Sequence, residues 1–225
     1  MQIQKSLLEG LEPKTSGLVC GIDEVGRGCL AGPVVAAAVI LPSRCTLPVT
    51  DSKKLSAKRR EELSSAIRSE ACAWALGLVG QKVIDRINIL QATLFAMSMA
   101  VGKLTLAPAR LVIDGTMLLP LPYLRRFWLR RHPEYPLPEQ QCIVKGDATV
   151  PAISAASILA KTYRDALMTQ LSLRWPLYGF EQHVGYGSSY HREMLQKYGP
   201  CPLHRLSFHG VLPKKSTRLQ GSLLS

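Results

Sequence analysis

The sequence has no Cys-x-x-Cys pair, although it holds six cysteines: Cys20, Cys29, Cys45, Cys72, Cys142 and Cys201. That scatter excludes the usual zinc-ligand spacings and any legible disulfide framework. Most of the six sit among apolar neighbours, as small hydrophobes do, so a reducing, cytoplasmic setting is expected. The opening segment MQIQKSLLEG lacks the apolar core of a secretory signal. The most apolar run, residues 29–41, is short and broken by Gly32 and Pro33, which leaves nothing able to span a bilayer. His183, His191, His204 and His209 do not fall at metal-ligand spacing, so packing or surface roles are expected of them. Acid is also scarce: 16 Asp and Glu stand against 28 Lys and Arg, a net charge of +12. An excess of that size suits a polyanionic partner, nucleic acid or an anionic membrane. Charge alone is equally consistent with a merely basic soluble protein.

What is present is enough for one folded domain. The 225 residues are 47% hydrophobic and 20% charged, which supports a proper core. Residues 17–25, 34–41, 71–80, 109–115 and 141–147 read as strands. Ser56 caps a helix running to Arg68. A second, strongly amphipathic helix covers 83–104, with Ile87, Leu90, Leu94 and Met97 on one face and Asn88 as a cap. A third spans 151–175, with Pro151 in its first turn. Residues 116–140 are rich in Pro, Arg and Leu and hold at most one short helix. Three strands followed by alternating helices and strands predict an α/β fold, a mixed sheet flanked by helices. The expected organisation is an extension over 1–16, a folded unit over 17–210 and a frayed tail over 211–225.

Four carboxylates stand where solvation does not account for them. Asp23 and Glu24 end the first strand, Asp114 ends LVID, and Asp147 ends CIVKGD. In open α/β sheets, ligands gather beyond the carboxyl ends of strands. Acids brought together there repel one another, and a divalent cation relieves the conflict. An all-oxygen donor set favours Mg²⁺ or Mn²⁺ over zinc, and a pair of such ions suits phosphodiester cleavage. Any one of these acids alone is as readily a turn residue, as Asp-Gly at 114–115 illustrates. Directly after the first pair comes Gly26-Arg27-Gly28. Its glycines let a ligand approach the backbone, its amides can meet phosphate or hydroxyl oxygens, and Arg27 offers a planar cationic fork. The loop only faintly matches a dinucleotide-binding turn, lacking Gly-x-Gly-x-x-Gly and a following helix.

Taken together, the stretches GIDEVGRGCLAGPVVAAAVIL, DSKKLS, INILQATLFAM, LVIDG, VKGDATVPAISAASILAKTYRD and YGFEQHVGYGSSYH…GPCPLHRLSF resemble bacterial ribonuclease HII, of the type 2 ribonucleases H. They occur in family order over residues 17–209. The resemblance implies a ribonuclease H fold: a five-stranded mixed sheet, three antiparallel strands then parallel ones, helices on both sides and a C-terminal helical extension. It implies that Asp23, Glu24, Asp114 and Asp147 hold Mg²⁺ or Mn²⁺, with Asp165 as a secondary candidate. Asp165 lies mid-helix, where a salt bridge is the easier explanation. The implied substrates are RNA/DNA hybrids and duplex DNA carrying single ribonucleotides, cut 5′ to the ribonucleotide by a monomeric enzyme. Gly26, Arg27 and Gly28 are implied to read the 2′-hydroxyl, with Tyr186 stacking on the neighbouring sugar. Lys53 and Lys54 are expected to grip phosphates, with Ser52 as a polar neighbour. Val184 and Leu206 stand where the family often has basic residues, and Arg125, Arg126, Arg130 and Arg131 are candidates to compensate.

Two rivals remain at this level. A non-catalytic nucleic-acid-binding module explains the charge and the glycine turn but leaves the four acids without a role. A ribonuclease HIII-like enzyme is disfavoured by the short segment before the first motif and by Asp at 147, where that family has Glu.

Overall fold

The computed structural model describes residues 17–49, 52 and 55–212. Five strands form one sheet: β1 (Val19–Val25), β2 (Val34–Ile40), β3 (Ala73–Val79), β4 (Arg110–Asp114) and β5 (Glu139–Ile143), in the order β3-β2-β1-β4-β5. The β1–β2 and β2–β3 pairs are antiparallel, and β1–β4 and β4–β5 are parallel. This is the mixed sheet anticipated from the residue pattern.

Beta-2, VVAAAVI, is wholly buried because it is covered on both faces. Val34, Ala36, Ala38 and Ile40 enter one core, while Val35, Ala37 and Val39 enter the other, as the period-two alternation of a strand requires. The first core is roofed by α2 (Gln81–Val101), on which α3 (Leu121–Arg131) packs. The second lies under α1 (Ala57–Glu70) and α4 (Pro151–Ser172). Ser56 caps α1 as expected, its hydroxyl accepting the Arg59 N–H at 3.2 Å. Gly21 lets α4 lie directly on β1: a Cβ there would stand 2.1 Å from the Ala152 carbonyl carbon.

Two expectations need correction. The helix over 83–104 begins earlier and is broken at Asn88, whose φ of 66° is left-handed. The Asn88 side chain then caps the second half by accepting the Gln91 N–H at 3.0 Å. The fifth strand does not run to residue 147. It stops at Ile143, and Lys145, at φ 56°, turns the chain into a single 3₁₀ turn over Gly146–Ala148. Asp147 therefore sits in that turn rather than on a strand.

After α4 the chain forms a 3₁₀ turn at Pro176–Tyr178 and two short helices, α5 (Phe180–His183) and α6 (Ser189–Tyr198). These pack with Leu30, Ala31 and Met168 into a separate apolar cluster. Val211, assigned to the tail from sequence, is buried in that cluster, so the folded unit extends past 210. Among the described residues, no helix is long and apolar enough to cross a membrane. Lys53, Lys54 and the 1–16 extension lie outside the described residues.

Candidate active site

The parallel pairing of β1 with β4 sets Ile22 beside Ile113. The next residues, Asp23 and Asp114, therefore stand together toward the carboxyl ends of the two strands, where the β1–β4 pairing stops. Asp23 is almost fully buried, and its carboxyl is raised well above the ordinary carboxylate range. Burial is the main cause; the charges of Glu24 and Asp114 add to it, and a hydrogen bond from Ser157 works against it. Glu24 is raised for the same first reason, with Arg27 offsetting part of the effect and Asp114 adding to it. The Arg27–Glu24 ion pair measures 3.3 Å. Three carboxylates from two strands are thus close enough for the charge of Asp114 to bear on both Asp23 and Glu24.

Asp147 joins them through the backbone. Asp114 Oδ1 accepts the N–H of Gly146 at 2.7 Å and that of Asp147 at 3.4 Å. Ser154 of α4 donates to the Asp147 carbonyl at 2.7 Å. The four acids chosen from sequence therefore share one rim, formed by β1, β4 and the turn entering α4. They do not form a closed cage as they stand. Among the described residues, no group of three His, Cys, Asp or Glu side chains is arranged to hold a metal ion. Asp23 spends an oxygen on its neighbour's N–H (2.7 Å), Glu24 one on Arg27, and Asp114 one on Gly146.

Other expected residues take more specific places. Ser52 is buried and does not present itself to phosphate. Its hydroxyl meets Ser157 at 2.8 Å, which places it behind Asp23 as a brace. Asp165 pairs with Lys161 at 2.8 Å and Arg60 at 3.8 Å, in keeping with a salt-bridge role. Lys161 also lies over the Tyr186 ring, 5.9 Å from its centroid. Tyr186 is 42% exposed, and its hydroxyl lies near enough to the Cys29 thiol, directly after the glycine turn, for each to shift the other's pKa. The tyrosine and the turn are therefore neighbours, although 157 positions separate Cys29 from Tyr186 (186 − 29). Gly26, at φ 89°, has no room for a side chain, since a Cβ would lie 2.2 Å from Arg164 Nε.

Sequence reasoning missed the groups that hold this loop. Arg164 and Arg205 are both fully buried. Arg164 donates to the carbonyls of Pro33 (3.0 Å), Ala31 (3.0 Å) and Val184 (2.8 Å). Arg205 donates to those of Gly32 (3.0 Å), Arg27 (2.8 Å) and Gly26 (2.7 Å). Burial, with the Arg164 charge alongside, brings Arg205 down to about 10 despite opposing contributions from Cys29 and Asp85. One signal for Arg164 was available: it continues the buried stripe of α4 through Ile153, Ser157 and Ala160 to Met168, where a cation needs a partner. Arg205 lies in a loop with no periodicity to betray it.

The histidines pack, as expected, but into a defined relay. The Cys201 N–H donates to His204 Nδ1 at 2.9 Å, so the His204 proton is on Nε2 and points at His191 Nε2, 2.9 Å away. His191 must then carry its proton on Nδ1, which donates to the Tyr186 carbonyl at 2.8 Å. Both rings are neutral, and burial lowers each to about 4.

The family model described as Ribonuclease HII matches residues 20–211. The chain is 53% identical over 204 residues to the Ribonuclease HII of Nitratidesulfovibrio vulgaris, covering 90% of this chain and 91% of that protein. It is 49% identical over 205 residues to that of Pelodictyon phaeoclathratiforme, covering 87% and 91%. Among solved structures, ribonuclease H2 from Pyrococcus horikoshii OT3 superimposes with a TM-score of 0.70 at 25% identity, over 86% of this chain and 95% of that one.

Proposed function

Because the chain belongs to the ribonuclease HII family, we propose that this type 2 ribonuclease H hydrolyses the RNA strand of RNA/DNA hybrids and cuts duplex DNA 5′ to a single embedded ribonucleotide. The observation that carries the reading is the juxtaposition of two devices. Three neighbouring carboxylates, Asp23, Glu24 and Asp114, stand at one strand edge, the first two raised by burial and by the charge of the third. Immediately beside them an exposed Arg27-Gly28 turn adjoins a half-exposed tyrosine.

The donor set fits hard divalent cations. It is oxygen only, and burial with like charge nearby raises the carboxyls of Asp23 and Glu24, a cost that a cation removes. Asp23, Glu24, Asp114 and Asp147 would hold Mg²⁺ or Mn²⁺, two ions in the working complex. When bound, such ions acidify a water and neutralise charge at the phosphate. Ser157, backed by Ser52, keeps the Asp23 carboxylate oriented. Arg27 extends from the acids toward the substrate backbone. The peptide groups of Gly26, Arg27 and Gly28 read the 2′-hydroxyl, the group that separates RNA from DNA at one nucleotide. Tyr186 offers its ring face to the adjacent sugar. The loop carrying Lys53 and Lys54 supplies further phosphate contacts, and the enzyme acts as a monomer in the cytoplasm.

The test is incubation with a duplex containing one ribonucleotide, in Mg²⁺ or Mn²⁺, with EDTA as control. Cleavage that needs the cation and leaves 3′-hydroxyl and 5′-phosphate ends is expected. A 2′,3′-cyclic phosphate, or cutting that persists in EDTA, overturns the reading.

A further inference from the structure

The carbonyls of Gly26 and Arg27 both point inward, onto the two terminal nitrogens of Arg205. In a planar trans peptide the N–H points opposite to the C=O, and no cis bond occurs among the described residues. Fixing those two carbonyls therefore fixes two donors. The N–H groups of Arg27 and Gly28 are turned outward, on residues that are themselves exposed. A Cβ built on Gly28 meets nothing within 4 Å, so a ligand can come up to that backbone. One guanidinium thus determines where the turn aims its hydrogen-bond donors.

Arg205 is itself anchored. Asp85 of α2 accepts the N–H groups of Leu206 (3.1 Å) and Ser207 (3.0 Å) and the Ser207 hydroxyl (2.6 Å). On the other side, the Arg205 N–H donates to the Leu30 carbonyl at 2.8 Å, and Ala31 bridges to His204. His204 then reaches the opposite wall of the site through His191, whose Nδ1–H holds the Tyr186 carbonyl. Two consecutive residues thereby govern both halves of a site whose parts lie far apart in sequence.

We infer that His204-Arg205 is the positioning element of the ribose-reading site: Arg205 aims the outward N–H groups of Arg27 and Gly28, while His204, through His191, sets Tyr186 against them. Neither residue touches substrate. The inference rests on the function proposed above and adds the residues that tune its selectivity. It predicts a coupling. If Arg205 acts by aiming the donors at the 2′-hydroxyl, replacing that hydroxyl by fluorine should cost less once Arg205 is altered.

The experiment measures kcat/KM of the parent, Arg205→Lys and Asp85→Asn on duplexes carrying either one ribonucleotide or its 2′-fluoro counterpart, with folding followed by circular dichroism. Lysine keeps the charge but cannot span three carbonyls. The fluorine penalty is expected to shrink by about tenfold in Arg205→Lys, and in the same direction, less far, in Asp85→Asn. Equal losses on both duplexes, leaving the penalty at its parental value, overturn the inference and make Arg205 a purely structural residue. Should Arg205→Lys fail to fold, Asp85→Asn, altered on the outer side of the brace, decides in the same way. A parent enzyme that does not cut the ribonucleotide duplex at all overturns the functional reading, and this inference falls with it.

Discussion

Asp23 is a carboxyl group kept against its own solvation preference. Its raised pKa, caused first by burial and then by Glu24 and Asp114, means that the folded state binds its proton more tightly than the unfolded chain does. Stability linked to this group is therefore present at low pH and falls as pH rises from the unfolded value, near 3.8, through the higher folded value. In metal-free buffer at neutral pH, Asp23→Asn is expected to raise Tm, with the difference from the parent closing in acid below that window. Cleavage should fall by about a thousandfold, the scale of losing transition-state electrostatics, and Mg²⁺ should raise the Tm of the parent more than that of the variant. A variant whose Tm drops at neutral pH would make Asp23 a structural acid. Asp23, Glu24 and Asp114 were legible in the sequence because an acid closing an apolar strand is costly and therefore conspicuous. Arg205 was not, because a cation in a loop ordinarily needs only water, and Arg164 showed itself only by its place in the buried stripe of α4. Their acceptors are carbonyls that the sequence does not mark. Ser52 was noticed but misplaced: its partner Ser157 is 105 positions away.

At the level of elements, the site is a seam between β1 and α4. Gly21 sets its width, since any Cβ there meets the Ala152 and Ile153 backbone at 2.1–2.4 Å, and backbone cannot swing aside as a side chain can. Gly21→Ala is expected to cost about 1–3 kcal/mol in urea unfolding, the usual price of overpacking. It should also lower cleavage at temperatures where the variant is fully folded, because Asp23 lies on one side of the seam and Asp147 and Ser157 on the other. Unchanged turnover in a destabilised variant would show that the seam has slack. Helix α4 could be read from periodicity because it buries a defined stripe, and β2 from its unbroken apolar run, which is covered on both faces. The ends were harder. The end of β5 depends on Lys145 entering a left-handed conformation, and the break in α2 on Asn88 doing the same. Neither residue type demands that backbone, so the local signal was faint and tertiary packing decided.

Over the whole molecule, the charge of +12 and the acidic rim act at different ranges. The net excess of cations favours a polyanion over the whole surface, whereas the rim of Asp23, Glu24, Asp114 and Asp147 repels phosphate locally unless a cation intervenes. Binding of an uncleaved duplex, measured by anisotropy in EDTA, is expected to weaken about a hundredfold between roughly 50 and 200 mM salt if about four phosphates are neutralised. A flat response would remove electrostatics as the main source of affinity. The order of the chain adds a further consequence. The Gly26 carbonyl and the guanidinium that clasps it are separated by 179 positions, nearly the length of the folded unit. Within the folded unit, a ribosome delivers Asp23, Glu24 and the turn first and Arg205 among the last residues. A growing chain can lay down its first strands long before that clasp exists, and the clasped turn is completed only when almost all of the folded unit has emerged. If the turn reads ribose as proposed, that reading is deferred until translation of the folded unit is nearly done.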